Sequence, residues 1–91
     1  MKYEYPAVIS YDNSEEVYYV DFPDISGCFT DGKTLREALD NAEDALCTML
    51  SYMESQGQVM TTPSNLNLLR VGIGEIVALI NTETEEHKIA V

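Results

Sequence analysis

Seven carboxylates fall within the stretch DFPDISGCFTDGKTLREALDNAEDAL, residues 21–46. Among them Asp21, Asp24, Asp31 and Asp40 are aspartates of the kind that hold magnesium in nucleases. Two-metal hydrolysis needs several carboxylates converging on ions about 3.5–4 Å apart. The spacing here opposes that convergence. Asp21 could point from an apparent strand, and Asp24 and Asp31 lie in a turn-rich bend. Asp40 shares the polar side of a helix with Glu37, Glu43 and Asp44, where a solvated face is the simpler reading. The helix turns no carboxylate inward, and the last apolar segment offers only Glu75 at its start and Glu83 beyond its end.

Nucleophilic chemistry is no better supplied. Cys28 would need a base, and His87, the single histidine, lies in an acidic C-terminal stretch with no evident orienting partner. The segment VGIGE, residues 71–75, has two glycines but no following lysine or helix, so it is not a phosphate loop. Cys28 and Cys47, with one histidine, cannot make a structural zinc site of about four ligands. Both thiols read as small core residues of a cytosolic protein, with a Cys28–Cys47 disulfide as the alternative. No catalytic residue, metal or cofactor is expected.

The elements that would position these groups belong to one domain. A chain of 91 residues buries roughly 60–65% of its extended surface, enough for one core. With 45% hydrophobic residues it carries the apolar content such a core requires. No apolar run reaches the ~18 residues of a membrane span, and the N-terminal MKYEYPAVISYD lacks the pattern of a signal peptide. Sixteen acidic against five basic residues give a formal net charge of −11. That charge repels nucleic acid; it either merely confers solubility or favours a basic protein partner, with fast, salt-sensitive association.

Period-two alternation over residues 3–11 predicts a strand, with Tyr3, Tyr5, Ala7, Ile9 and Tyr11 on one face. Pro6 within it suggests a sheet edge or a strand start. DNSEE, residues 12–16, makes a turn to a second strand at 17–22, and residues 28–30 form a short third. Asp31-Gly32 then turns the chain into a helix capped by Thr34, with Glu37 completing a capping box. Leu35, Ala38, Leu39, Ala42, Leu46, Met49, Leu50 and Met53 repeat on one face of about 22 residues, ending before Gly57. Residues 57–74 read as an irregular connection, with a helical turn within 65–70. EIVALIN, residues 75–81, reads as a buried strand. Residues 82–91 read as a polar tail in which 88–91 could begin another strand. The class is α+β, in the order β-β-β-α-β, with one long helix on a small sheet.

These residues resemble the HicB antitoxin family. The resemblance rests on the aromatic strand Tyr18-Tyr19-Val20, the run Phe22-Pro23-Asp24-Ile25 with Gly27-Cys28, and the turn Thr30-Asp31-Gly32-Lys33-Thr34. It continues through Glu37-Ala38-Leu39-Asp40-Asn41-Ala42, the later Pro63-Ser64, and the strand from Ile76 to Asn81, so it covers nearly the whole chain. It implies a partial ribonuclease H-like fold without that enzyme's carboxylate set. It also implies a HicA-like toxin partner, a small basic mRNA-cleaving ribonuclease with a catalytic histidine, whose active-site surface the antitoxin covers. On this resemblance Phe22, Pro23, Gly27, Cys28, Gly32, Thr34, Ala38, Leu39 and Ala42 are structural. Gly27 and Gly32 permit bends, Thr34 caps the helix, and Phe22, Ile25, Leu39 and Ala42 fill the core. The expected toxin-binding residues are the acidic bend Asp21, Asp24 and Asp31 with Asp12, Glu15 and Glu16 at the hairpin tip. Self-association into a dimer or larger assembly is expected, through an edge strand begun by Tyr3.

Many HicB proteins continue into a DNA-binding segment. Residues 82–91 carry no such motif and could be the start of one, so no direct DNA binding is expected of this chain. The competing readings are an orphan HicB-like regulatory or ligand-binding domain and a cryptic nuclease.

Overall fold

A computed structural model describes residues 1–84; His87 and the strand expected at residues 88–91 lie outside the described residues. Three strands, β1 (Lys2–Asp12), β2 (Val17–Asp21) and β3 (Phe29–Gly32), precede the helix α1 (Leu35–Ser55), and β4 (Glu75–Glu83) follows it. All neighbours are antiparallel, in the order β3-β2-β1-β4.

The sequence expectation of an edge position for Pro6 is corrected by this order. β1 is an interior strand, with Pro6 opposite Leu79 of β4. Proline is tolerated there because the pairing of β1 with β2 runs only from Val8 to Asp12, so Pro6 lies beyond the end of that ladder. The strand begun by Tyr3 is thus an interior strand, not the edge strand expected. Among the described residues the outer strands of the sheet are β3 and β4.

Alternation sorts the sheet into two faces. Tyr5, Ala7, Ile9, Val20 and Ile80 turn toward α1 and are buried with Ala38, Ala42, Leu46 and Leu50 of the helix. Phe22, Ile25 and Cys28 close one end of this core. A fully buried leucine of this kind costs about 2–5 kcal/mol when cut to alanine, so Leu46 and Leu50 hold the helix on the sheet. Leu35, expected on the inner face, is the first residue of the helix and is exposed. Ile76 and Leu79 are exposed too, which corrects the reading of EIVALIN as buried: β4 is an edge strand. It also runs through Thr82 and Glu83, and Thr82 and Thr84 are buried.

The helix ends follow their residues. Thr34 accepts the Glu37 amide at 3.0 Å, while the Glu37 carboxylate accepts the Lys33 amide at 2.6 Å, one residue before the usual reciprocal bond. At the other end Gly57, at φ +69°, donates to the Glu54 carbonyl and Gln58 donates to that of Met53. That paired closure requires the left-handed conformation glycine adopts without penalty.

Gly32 stands in the structure for a different reason from the bend expected of it. It is the last residue of β3, and a Cβ there would lie 2.4 Å from the Ala38 amide nitrogen. Only glycine lets the strand end touch the first helical turn. Gly27, at φ +79°, does serve a bend.

Candidate acidic interface

Register places two of the nominated carboxylates on the side of the sheet away from the helix. Val20 is buried, so its neighbours Tyr19 and Asp21 point outward. Across the β2–β3 ladder Tyr19 is opposite Asp31 and Asp21 is opposite Phe29. The result is a small checkerboard of two aspartates and two aromatic rings, with Phe29 68% and Tyr19 40% exposed. Rings left this open have not been spent on the core.

The hairpin tip adds to the same patch. Asp12 accepts the Ser14 amide at 2.8 Å, the Ser14 hydroxyl at 2.7 Å and the Glu15 amide at 3.0 Å, so it shapes the turn that presents Glu15. These bonds, the Ser14 hydroxyl first, hold the Asp12 carboxyl below the usual carboxylate range. Glu15 accepts the Tyr19 hydroxyl. That bond, with some loss of solvation and the nearby charges of Glu15, Asp12 and Asp31, pushes the Tyr19 phenol up to about 12. Glu16 ends the turn at φ +58°, a left-handed position that a non-glycine residue takes up only when the surrounding turn enforces it.

Asp24 does not join this group. Its carboxylate accepts the Ser64 amide at 2.8 Å and the Ser64 hydroxyl, and so ties the bend to the connection after the helix. Beside it the Tyr5 hydroxyl donates to the Thr61 carbonyl. Asp24 thus clips the bend to this connection, a structural tie in addition to the interface role expected of it from sequence. Nothing local in the sequence signals a partner 40 positions away. The rings were the other omission. Tyr19 could have been found by carrying the alternation through β2, but Phe29 depends on the β2–β3 register.

Cys28 is buried, and burial with the nearby charge of Asp21 pushes its thiol up to about 11, so it remains protonated at neutral pH. Cys28 and Cys47 are both free thiols. Among the described residues, no three His, Cys, Asp or Glu side chains are grouped to hold one ion. Asp40, Glu43 and Asp44 are exposed on the outside of α1. Among the described residues no helix is long and apolar enough to cross a membrane.

The family profile described as the HicB-like antitoxin of bacterial toxin–antitoxin systems matches residues 5–87. The chain belongs to that family. Antitoxin HicB of Escherichia coli (strain K12) is 38% identical over 50 residues, a match covering 55% of this chain and 36% of that protein. The chain therefore matches only about a third of that HicB. The crystal structure of the N-terminal domain of Burkholderia pseudomallei antitoxin HicB superposes with a TM-score of 0.74 at 28% identity, covering 86% of this chain and 95% of that one. A chain of the HicA3 and HicB3 toxin–antitoxin complex superposes with a TM-score of 0.68 at 25% identity, covering 91% and 99%. The α+β HicB-like fold expected from sequence is the fold found.

Proposed function

We propose that this chain neutralises a HicA-like, mRNA-cleaving toxin by laying its acidic outer sheet face over the toxin's basic active-site surface. The observation that carries this reading is the grouping of Asp21, Asp31 and Glu15 around exposed Tyr19 and Phe29. A cationic RNA-binding surface meets there the charge it evolved to meet on phosphate, together with rings that contact arginine and lysine favourably. Family membership, and a structural neighbour solved as a toxin–antitoxin complex, support the same partner.

The test is co-expression with the product of the adjacent reading frame, followed by co-purification and an RNA-cleavage assay. The expected result is a stable complex with RNA left intact. Reversing Asp21 or Asp31 to lysine should weaken the complex about fivefold each, roughly 1 kcal/mol, and flatten its salt dependence. Unchanged affinity and salt slope in both variants would remove this face from the interface. Robust RNA cleavage by the chain alone with magnesium, abolished by Asp21→Asn, would replace the antitoxin reading with a nuclease.

A further inference from the structure

Beside the acidic patch, between the β3 edge and α1, lies an open groove of about 690 Å³. Its floor and walls include Cys28, Thr30, Ala45, Thr48 and Met49, with the Phe29 position and the exposed Tyr52 also lining it. The main chain along this edge is available for pairing. Phe22 donates to the Cys28 carbonyl, so the even-numbered residues of β3 face β2, while Phe29 and Asp31 turn their amides and carbonyls to the free side. One of these groups is taken, since the Asn41 side chain donates to the Asp31 carbonyl at 2.9 Å. Among the described residues the Phe29 amide, the Phe29 carbonyl and the Asp31 amide have no hydrogen-bond partner, which leaves them to a fifth strand.

The geometry points to strand addition along β3 by an extended partner segment in which apolar and basic residues alternate. Side chains of an added strand alternate between the faces of the sheet. On the helix side they enter the apolar groove. On the other side they meet Asp21 and Asp31 and the ring of Phe29, which select lysine or arginine. A second copy of this chain is the poorer occupant, because pairing two β3 edges brings together two chains of net charge −11, each with Asp31 at the contact. This inference rests on the antitoxin reading only for the source of the segment, which is then the toxin.

The probe is a short acetylated peptide of alternating lysine and valine, compared with its block isomer in which all lysines precede all valines. Binding to the full chain is followed by fluorescence anisotropy at two salt concentrations. The alternating peptide should bind about tenfold tighter than the isomer. Thr48→Trp, which fills the groove from an exposed helix position, should abolish that preference, and so should Asp31→Pro, which removes an edge amide. Asp31→Asn should keep the preference with a shallower salt dependence. Unfolding midpoints check that each variant is folded, and Thr48→Trp suffices if Asp31→Pro is not. Equal binding of the two isomers, or indifference to Thr48→Trp, would overturn the inference. So would a dimer of this chain that Thr48→Trp splits. If wild type and Thr48→Trp silence the HicA-like protein equally well, strand addition fails and the antitoxin reading stands. If wild type prefers the alternating peptide but captures no HicA-like protein, the edge site stands and the antitoxin reading fails.

Discussion

Gly32→Ala isolates the contact on which the placement of β3 depends. At a position with negative φ and open surroundings this substitution stabilises a protein by about 0.4–1 kcal/mol, because alanine restricts the unfolded chain. At Gly32 the added methyl would sit 2.4 Å from the Ala38 nitrogen, 2.7 Å from its Cα and 2.9 Å from the Glu37 carbonyl carbon. All three are backbone atoms of the first helical turn, so no side chain can swing aside and the helix start must withdraw from the strand. Overpacking of this kind costs about 1–3 kcal/mol, and the rigid obstacle puts Gly32→Ala at the upper end. A loss near ~3 kcal/mol corresponds to a fall in melting temperature of roughly 12–24 °C for a domain this small. Gly57→Ala provides the control. That glycine has φ +69° and nothing within 4 Å of the added methyl, so only the backbone penalty of about 1 kcal/mol applies. Urea unfolding of the three proteins, with the slope held to the wild-type value, separates the two costs. If Gly32→Ala is as stable as wild type, or less destabilised than Gly57→Ala, the close-approach explanation is wrong.

Further outcomes follow from the same structure. Tyr19 should ionise near pH 12 by phenolate absorbance, against about 10 for an ordinary tyrosine, and Glu15→Gln should bring it back toward 10. Tyr3, which donates to Glu54 at 2.5 Å, is likewise pushed up to about 12. Because the folded values are the raised ones, what these bonds add to stability is complete below pH 10 and is lost as pH rises to about 12; Tyr3→Phe should flatten that loss in alkaline unfolding. Asp24→Ala should cost about 1–3 kcal/mol in urea unfolding by releasing Ser64, with little effect on the salt dependence of toxin binding. Cys28 should resist thiol reagents in the native protein and react only on unfolding, whereas half-buried Cys47 reacts first.

Alternation and helical periodicity carry most of the fold in the sequence. Tyr5, Ala7 and Ile9 face the core because strand side chains alternate, and Ala38, Ala42, Leu46 and Leu50 do so because they share one side of a 3.6-residue repeat. Thr34 and Gly57 set the helix limits through local backbone chemistry, which neighbouring residues suffice to specify. The composite motif around Phe22, Gly27 and Thr34 likewise signals the family without coordinates.

The order of strands had no such local signal. Pro6 argued for an edge from its own chemistry, yet β1 is interior, since one missing amide is harmless where the neighbouring ladder has already ended. EIVALIN looks buried by composition, but whether another strand covers it depends on which edge the chain returns to after residues 56–74. The acidic site divides in the same way. That the chain is an anion follows from counting charges. Only the β2–β3 register sets Asp21 opposite Phe29 and Asp31 opposite Tyr19, and only the tertiary fold brings Asp24 to the distant Ser64. Periodicity is a property of neighbours along the chain, whereas pairing joins residues far apart in it, and that separation is what left the surface to the tertiary structure.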